Sequence, residues 1–108
     1  MGKKQKDLDM IARGNHREIM AYVAENSFCE EAEIALIKRG NQREIVAYTA
    51  KCYLSKKAEI ALIRRGNHAE IMYYLTLYTL DDEAKKALIK RGNFKEIEAC
   101  KKRVEILL

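Results

Sequence analysis

The chain has 108 residues, 48% of them hydrophobic and 34% charged, with no proline and no tryptophan. That length is one domain, large enough for a core without staples. Its apolar runs are far too short to span a bilayer, and no apolar signal region follows the lysines of the first seven residues. The formal net charge of +5 raises nucleic acid as a partner. The three cysteines, Cys29, Cys52 and Cys100, are odd in number and contain no Cys-x-x-Cys, which argues against a disulfide framework or a zinc site and fits a reducing, cytoplasmic setting.

The triplet Arg-Gly-Asn occurs at residues 13–15, 39–41, 65–67 and 91–93, a spacing of 26 residues, and residues 13–38 and 39–64 are identical at 15 of 26 positions. A fixed period of this length predicts stacked supersecondary units. The expected fold is all-α, a right-handed-type α-solenoid of short antiparallel helical hairpins with about eight helices. A single repeat domain, 1–108, divides into an N-terminal capping helix (1–12), full repeats at 13–38, 39–64 and 65–90, and a C-terminal capping helix (91–108).

In chain order, the capping helix carries Lys6 and Asp9 where inner units carry Ala32 and Ala35, Ala58 and Ala61, Ala84 and Ala87. Its outer face is therefore polar. The first helix of each repeat opens on an asparagine N-cap followed three residues later by glutamate. Asn15/Glu18, Asn41/Glu44, Asn67/Glu70 and Asn93/Glu96 all approximate capping boxes. In the middle repeat, Ile45, Tyr48, Thr49 and Cys52 mark one face of a helix from about Gln42 to Lys51. The register-matched Tyr22, Tyr48 and Tyr74 are expected in the core with their hydroxyls reaching water.

The links (25–29, 51–55 and 77–81) are the most divergent segments. Ser55 and Asp81 can cap the second helix, whereas Cys29 is a poorer cap. That helix carries Ala58, Ile60, Ala61, Leu62 and Ile63, so it is buried on more than one side. Gly40 and Gly66 are expected to end it in the left-handed conformation. The basic pair Arg64-Arg65 suits the carbonyl end of the dipole, as the acids Glu30, Glu31, Asp82 and Glu83 suit first turns. The closing helix places Glu98, Lys101 and Lys102 where inner units carry Met20, Val23 and Ala24. The expectation is a capped array, with Lys101 and Lys102 exposed and their counterparts Thr49, Ala50, Leu75 and Thr76 buried between units.

The stretch Ala61-Leu62-Ile63-Arg64-Arg65-Gly66-Asn67-His68-Ala69-Glu70-Ile71-Met72 resembles the helix–glycine–helix joint of ankyrin repeats. All three full units and the closing helix show it. The period is 26 residues rather than 33, without Thr-Pro-Leu-His and without room for the β-hairpin finger. The resemblance implies a stacked helical solenoid that binds proteins.

His16 and His68 are two repeats apart, and with stacked helices ~9 Å apart they sit roughly 20 Å or more from each other. They cannot share a metal and read as surface residues at helix starts. No pattern brings a nucleophile to a base, and single glycines do not make a phosphate loop. No catalytic, cofactor-binding or metal-binding residue is expected, and no cofactor. The expected function is a monomeric, non-enzymatic scaffold for protein–protein interaction, with a protein partner and no membrane association. Its surface would be the link edge and the exposed first turns: Phe28, Glu30, Glu31, Tyr53, Lys56, Lys57, Tyr78, Asp82 and Glu83. One alternative is nucleic-acid binding through Arg17, Arg43, Lys56, Lys57 and the basic C-terminal helix. The charge per unit argues against it, because residues 13–38 carry −2, 39–64 carry +4 and 65–90 carry 0, whereas phosphate tracking wants one sign at one place in every repeat. A further alternative is an engineered, consensus-type array with no natural partner.

Overall fold

Each Arg-Gly-Asn triplet turns the chain back on itself, and the resulting hairpins stack. The computed structural model describes residues 2–107, with side chains through Arg103. The described residues form eight helices and no strand: α1 (Lys3–Arg13), α2 (His16–Glu25), α3 (Glu30–Arg39), α4 (Gln42–Thr49), α5 (Lys56–Arg65), α6 (His68–Leu77), α7 (Asp82–Arg91) and α8 (Phe94–Leu107). The odd helices pack side by side in one layer and the even helices in a second. The array measures 42 × 24 × 21 Å. Each helix thus has one joint edge, where Gly-Asn turns lie, and one link edge.

The joints explain the regular geometry. Gly40, Gly66 and Gly92 have φ of 79°, 75° and 79°, the left-handed conformation that glycine adopts without steric cost. Their N–H groups donate to the carbonyls of Leu36, Leu62 and Leu88. The following asparagines accept from the backbone N–H of Glu44, Glu70 and Glu96 at 3.0–3.1 Å. The first joint differs. Gly14 has φ of −72°, and glycine is needed there for space, since a Cβ would lie 2.6 Å from the Met10 carbonyl oxygen.

Between the layers, Ile19, Leu36, Ile45, Leu62, Ile71 and Leu88 are fully buried, each contributing about 1.5–3 kcal/mol over exposure. Ala32, Ala58 and Ala84, on the mutually packed odd helices, are fully buried, which leaves no room for a larger side chain. Lys6, Glu98, Lys101 and Lys102 are exposed, and Thr49 and Leu75 are buried as expected. Ala50 and Thr76 are not, because the buried stripe of α4 and α6 stops one residue earlier. Helix α4 itself ends at Thr49, short of Lys51, and Ala50 and Lys51 form a turn. Ser55 and Asp81 accept from first-turn N–H groups, and Cys29 makes no side-chain cap.

Candidate functional site

The repeats are tied at both edges by rows of buried carboxylates. On the link side the row is Asp7, Glu33 and Glu59, all at the same register. The Tyr22, Tyr48 and Tyr74 hydroxyls donate to them at 2.5, 2.7 and 2.5 Å. The second oxygen of Glu33 accepts the Ser55 N–H, and that of Glu59 the Asp81 N–H, each at 3.0 Å. The tyrosine oxygens accept in turn from the N–H of Phe28 and Leu54 at 3.0 and 2.9 Å. Each Glu–Tyr pair therefore fixes two successive links. Tyr48 and Tyr74 are 1% exposed, so their hydroxyls do not reach water as expected from the sequence. Burial, and then the neighbouring carboxylate, pushes both phenols well above their usual range. The hydrogen bond to Asp7 leads the rise of Tyr22 to about 12. Burial likewise raises the Glu59 carboxyl, against the Tyr74 and Asp81 donors. In the last unit Lys85 and Cys100 replace both members of the pair together.

The joint edge has a second row, Glu44, Glu70 and Glu96, each at most 2% exposed. The arginine just before each joint binds it with two nitrogens: Arg39 to Glu44 at 2.7 and 3.3 Å, Arg65 to Glu70 at 2.8 and 3.1 Å, Arg91 to Glu96 at 2.7 and 3.2 Å. Arg65 and Arg91 also donate to the carbonyls of Gly40 and Gly66 in the preceding unit. Three of the four expected capping boxes are thus half boxes, whose glutamate turns to arginine instead of its N-cap. Only Asn15/Glu18 closes reciprocally, and there the joint glycine is not left-handed. The histidines are not idle surface residues either. His16 Nδ1 donates to Glu44 at 2.7 Å and His68 Nδ1 to Glu96 at 2.6 Å, each across a repeat boundary. Burial alone would raise the Glu96 carboxyl, but Arg91 and His68 outweigh it and hold it below the usual range.

The surface charge follows these edges. The last two residues of the odd helices and the first three of the even helices hold ten basic side chains and four carboxylates. That surplus exceeds the net +5 of the whole chain. Apart from the three arginines bound to glutamate, seven cations remain: Arg13, Arg17, Lys38, Arg43, Arg64, Lys90 and Lys95. None makes an ion pair among the described residues. The apparent alternation of charge along the sequence arises at the link edge, where acids and bases change places between units. At the joint edge the sign is the same in every repeat.

On the outer face of the odd layer, a groove of about 750 Å³ lies between α3 and α5, floored by Ile34, Ile37, Ile60 and Ala61 and rimmed by Lys38, Lys57 and Arg64. A second recess of about 480 Å³ between α5 and α7 shares Ile60 and Arg64 and adds Ile63, Lys86 and Lys90. The two lie side by side across three helices, with Ile60 and Arg64 of α5 between them. The sequence pattern did contain this signal: Ile34/Lys38 and Ile60/Arg64 are i,i+4 pairs on one helix face, but their cations were already explained by the helix dipole.

The residues expected at the link edge are dispersed. Phe28 is a core residue, 8% exposed and stacked on Tyr48 with ring centroids 4.7 Å apart, because the link folds inward to deliver its N–H to the tyrosine. Tyr78 is half-buried against Tyr74 and donates to the Thr49 carbonyl at 2.6 Å. Tyr53 is 74% exposed, and its ring is 6.3 Å from Tyr78. Glu30 is half-buried, and Lys56 is exposed. Glu31 pairs with Lys4 at 3.4 Å, Asp82 with Lys85 and Glu83 with Lys86 at 3.8 Å. Lys57 belongs to the groove rim rather than to the link edge. No helix of the described residues is long and apolar enough to cross a membrane. No protein-family model, curated protein or solved structure matches the chain.

Proposed function

We propose that this chain is a helical-repeat scaffold for protein–protein interaction that acts without catalysis, an ankyrin-like helix pair lacking the finger. The observation that carries the reading is the pair of adjacent recesses over α3, α5 and α7, whose isoleucine floor and polar rim have the anatomy of an interface. The buried carboxylates support it: each accepts from named partners that hold the repeats together, so the interior serves architecture and the surface is left for recognition. The basic joint edge favours nucleic acid as the rival, now with one sign in every repeat. Against it, the groove floor is aliphatic and offers no ring for a base to stack on. The exposed Phe94 lies at the start of α8, in the other layer.

The test is quantitative affinity capture with three chains: the natural one, Ile60→Lys and Tyr53→Ala. Partners lost with Ile60→Lys and retained with Tyr53→Ala are expected. Loss only with Tyr53→Ala would move the site to the link edge. Submicromolar binding of duplex or single-stranded nucleic acid at about 0.15 M salt, where exposed charges are screened, would favour the rival.

A further inference from the structure

We infer that the groove takes an acidic, amphipathic helix of its partner, with aliphatic side chains seated on the isoleucine floor and carboxylates on the basic rim. This rests on the scaffold reading and names the partner's chemistry. The rim is a row: Lys38, Arg64 and Lys90 occupy one register in successive odd helices, all three exposed. They make no ion pair or hydrogen bond among the described residues. Lys57 adds a fourth cation at the first recess. The carboxylate lining the second recess, Glu83, is engaged with Lys86. An unpaired cation row beside half-buried isoleucines is complementary to a ligand that is both apolar and anionic.

Geometry selects the helix. Neighbouring packed helices lie roughly 8–10 Å apart, and side chains at i and i+7 of an α-helix are separated by about 10.5 Å along its axis. Successive anchors of one helix face therefore fall into successive recesses, with Ile60 between them. Acidic residues flanking that stripe reach the cation row on the same repeat. Nucleic acid would satisfy the cations but leave Ile34 and Ile60 unused. A second copy of this chain, itself net positive, would bring like charge to the rim.

The probe is a fluorescein-labelled synthetic peptide of about 20 residues, long enough to populate helix, with leucines at i, i+3, i+7 and i+10 flanked by glutamates. Its partner peptide replaces the glutamates by glutamine. Fluorescence anisotropy at about 0.15 M salt should show the glutamate peptide binding at least about tenfold more tightly, the scale of several rim charges together. The Lys38→Gln/Arg64→Gln/Lys90→Gln chain should lose that advantage and melt as the natural chain does, since none of the three holds the fold. Arg64→Gln alone should reduce affinity by about threefold, a fraction of a kcal/mol, and keeps the question open to test if the triple variant folds poorly. Equal binding of both peptides, an unchanged affinity in the well-folded variants, displacement of the peptide by oligo-dT at lower concentration, or self-association that excludes the peptide would each overturn the inference. If the peptides fail while Ile60→Lys still abolishes capture of natural partners, the scaffold reading survives and the acidic helix falls.

Discussion

Asp7 apart, which also accepts from Lys3, the two edges of the solenoid bury the same functional group in opposite ways. At the link edge, Glu33 and Glu59 are held by tyrosine hydroxyls and backbone N–H groups, all neutral. At the joint edge, Glu44, Glu70 and Glu96 are held by arginine, two of them also by histidine. Neutral donors satisfy a carboxylate without cancelling its charge, so burial prevails and the Glu59 carboxyl is raised. Cationic donors cancel it, and the Glu96 carboxyl is lowered. The difference also reaches the surface. At the link edge Glu31, Asp82 and Glu83 pair with Lys4, Lys85 and Lys86, whereas the joint-edge glutamates occupy only three of ten cations and leave the rest facing solvent.

Removing one partner at each edge should break this comparison most visibly. Arg65→Met strips the Glu70 carboxylate of both guanidinium bonds and the Gly40 carbonyl of a donor. The expected loss is about 3 kcal/mol, the low end for a broken buried pair, because Glu70 is buried but Arg65 is partly exposed. Tyr74→Phe leaves a Glu59 oxygen and the Leu54 N–H without their partner, at about 2–3 kcal/mol for unsatisfied buried groups. Urea denaturation of both variants measures the two losses. Values below about 1 kcal/mol, the size of an ordinary surface change, would show that apolar packing alone holds the repeats.

Titration sharpens the contrast, because the signs are opposite. Glu59 has a raised folded pKa, so its contribution is fully present below the ordinary carboxylate value of 4.5 and is lost as pH rises through the folded value. Glu96 has a lowered one, so its contribution is present above 4.5 and is lost as pH falls through the folded value. The stability of the natural chain relative to Glu59→Gln should therefore grow as pH falls from neutrality toward 4.5. Relative to Glu96→Gln it should shrink as pH drops below 4.5. Chemical denaturation at a series of pH values checks both, and slopes of the same sign would contradict the account of the two edges.

Much of this was legible in the chain and some was not, for physical reasons. The hairpins, their glycine joints and the polar faces of α1 and α8 follow from period, capping chemistry and residue size, which act locally. The destinations of Glu44, Glu70 and Glu96 did not follow. A glutamate three residues after an asparagine satisfies the capping pattern, and only the left-handed turn brings the preceding arginine close enough to compete. Phe28 and Tyr53 stand one register position apart, yet one is buried and the other exposed: in a link, aromatic type says nothing of direction, and the inward turn is set by the Tyr48 hydroxyl 20 residues away. The link-side pairs did leave a trace, since Glu and Tyr give way to Lys85 and Cys100 in the same unit. The groove left only the Ile34/Lys38 and Ile60/Arg64 pairs in the sequence, because its walls come from neighbouring odd helices about 26 residues apart in the chain.

The joints themselves separate two costs. An alanine at Gly66 must adopt positive φ, and its Cβ would lie 2.9 Å from the Arg91 Nη1 that crosses from the next unit. At Gly92 the same φ is required, but the Cβ would meet nothing closer than 4.0 Å. Gly92→Ala is expected to cost about 1 kcal/mol, the conformational penalty alone. Gly66→Ala should cost up to about 1 kcal/mol more, by displacing the partly exposed Arg91 from the buried Glu96 carboxylate. Thermal unfolding of the two variants reads the difference, and equal losses would mean that Arg91 yields freely.

The smallest effect concerns the histidines, and it distinguishes members of the joint-edge row from one another. Glu96 receives both Arg91 and His68, whereas at the same register before Glu70 stands Gln42, which accepts from Asn67 at 3.5 Å rather than donating to the carboxylate. Glu70 therefore depends on its arginine more than Glu96 does. Arg91→Met should cost less than Arg65→Met by about 0.5–1 kcal/mol, the scale of one partly exposed hydrogen bond to a charged group. His68→Gln alone should cost about 0.5 kcal/mol, because Arg91 still satisfies the carboxylate. In the His68→Gln background the Arg91→Met loss should rise to match that of Arg65→Met. A double-mutant cycle measures this coupling, and strict additivity of His68→Gln with Arg91→Met would show that the two side chains do not share the Glu96 charge.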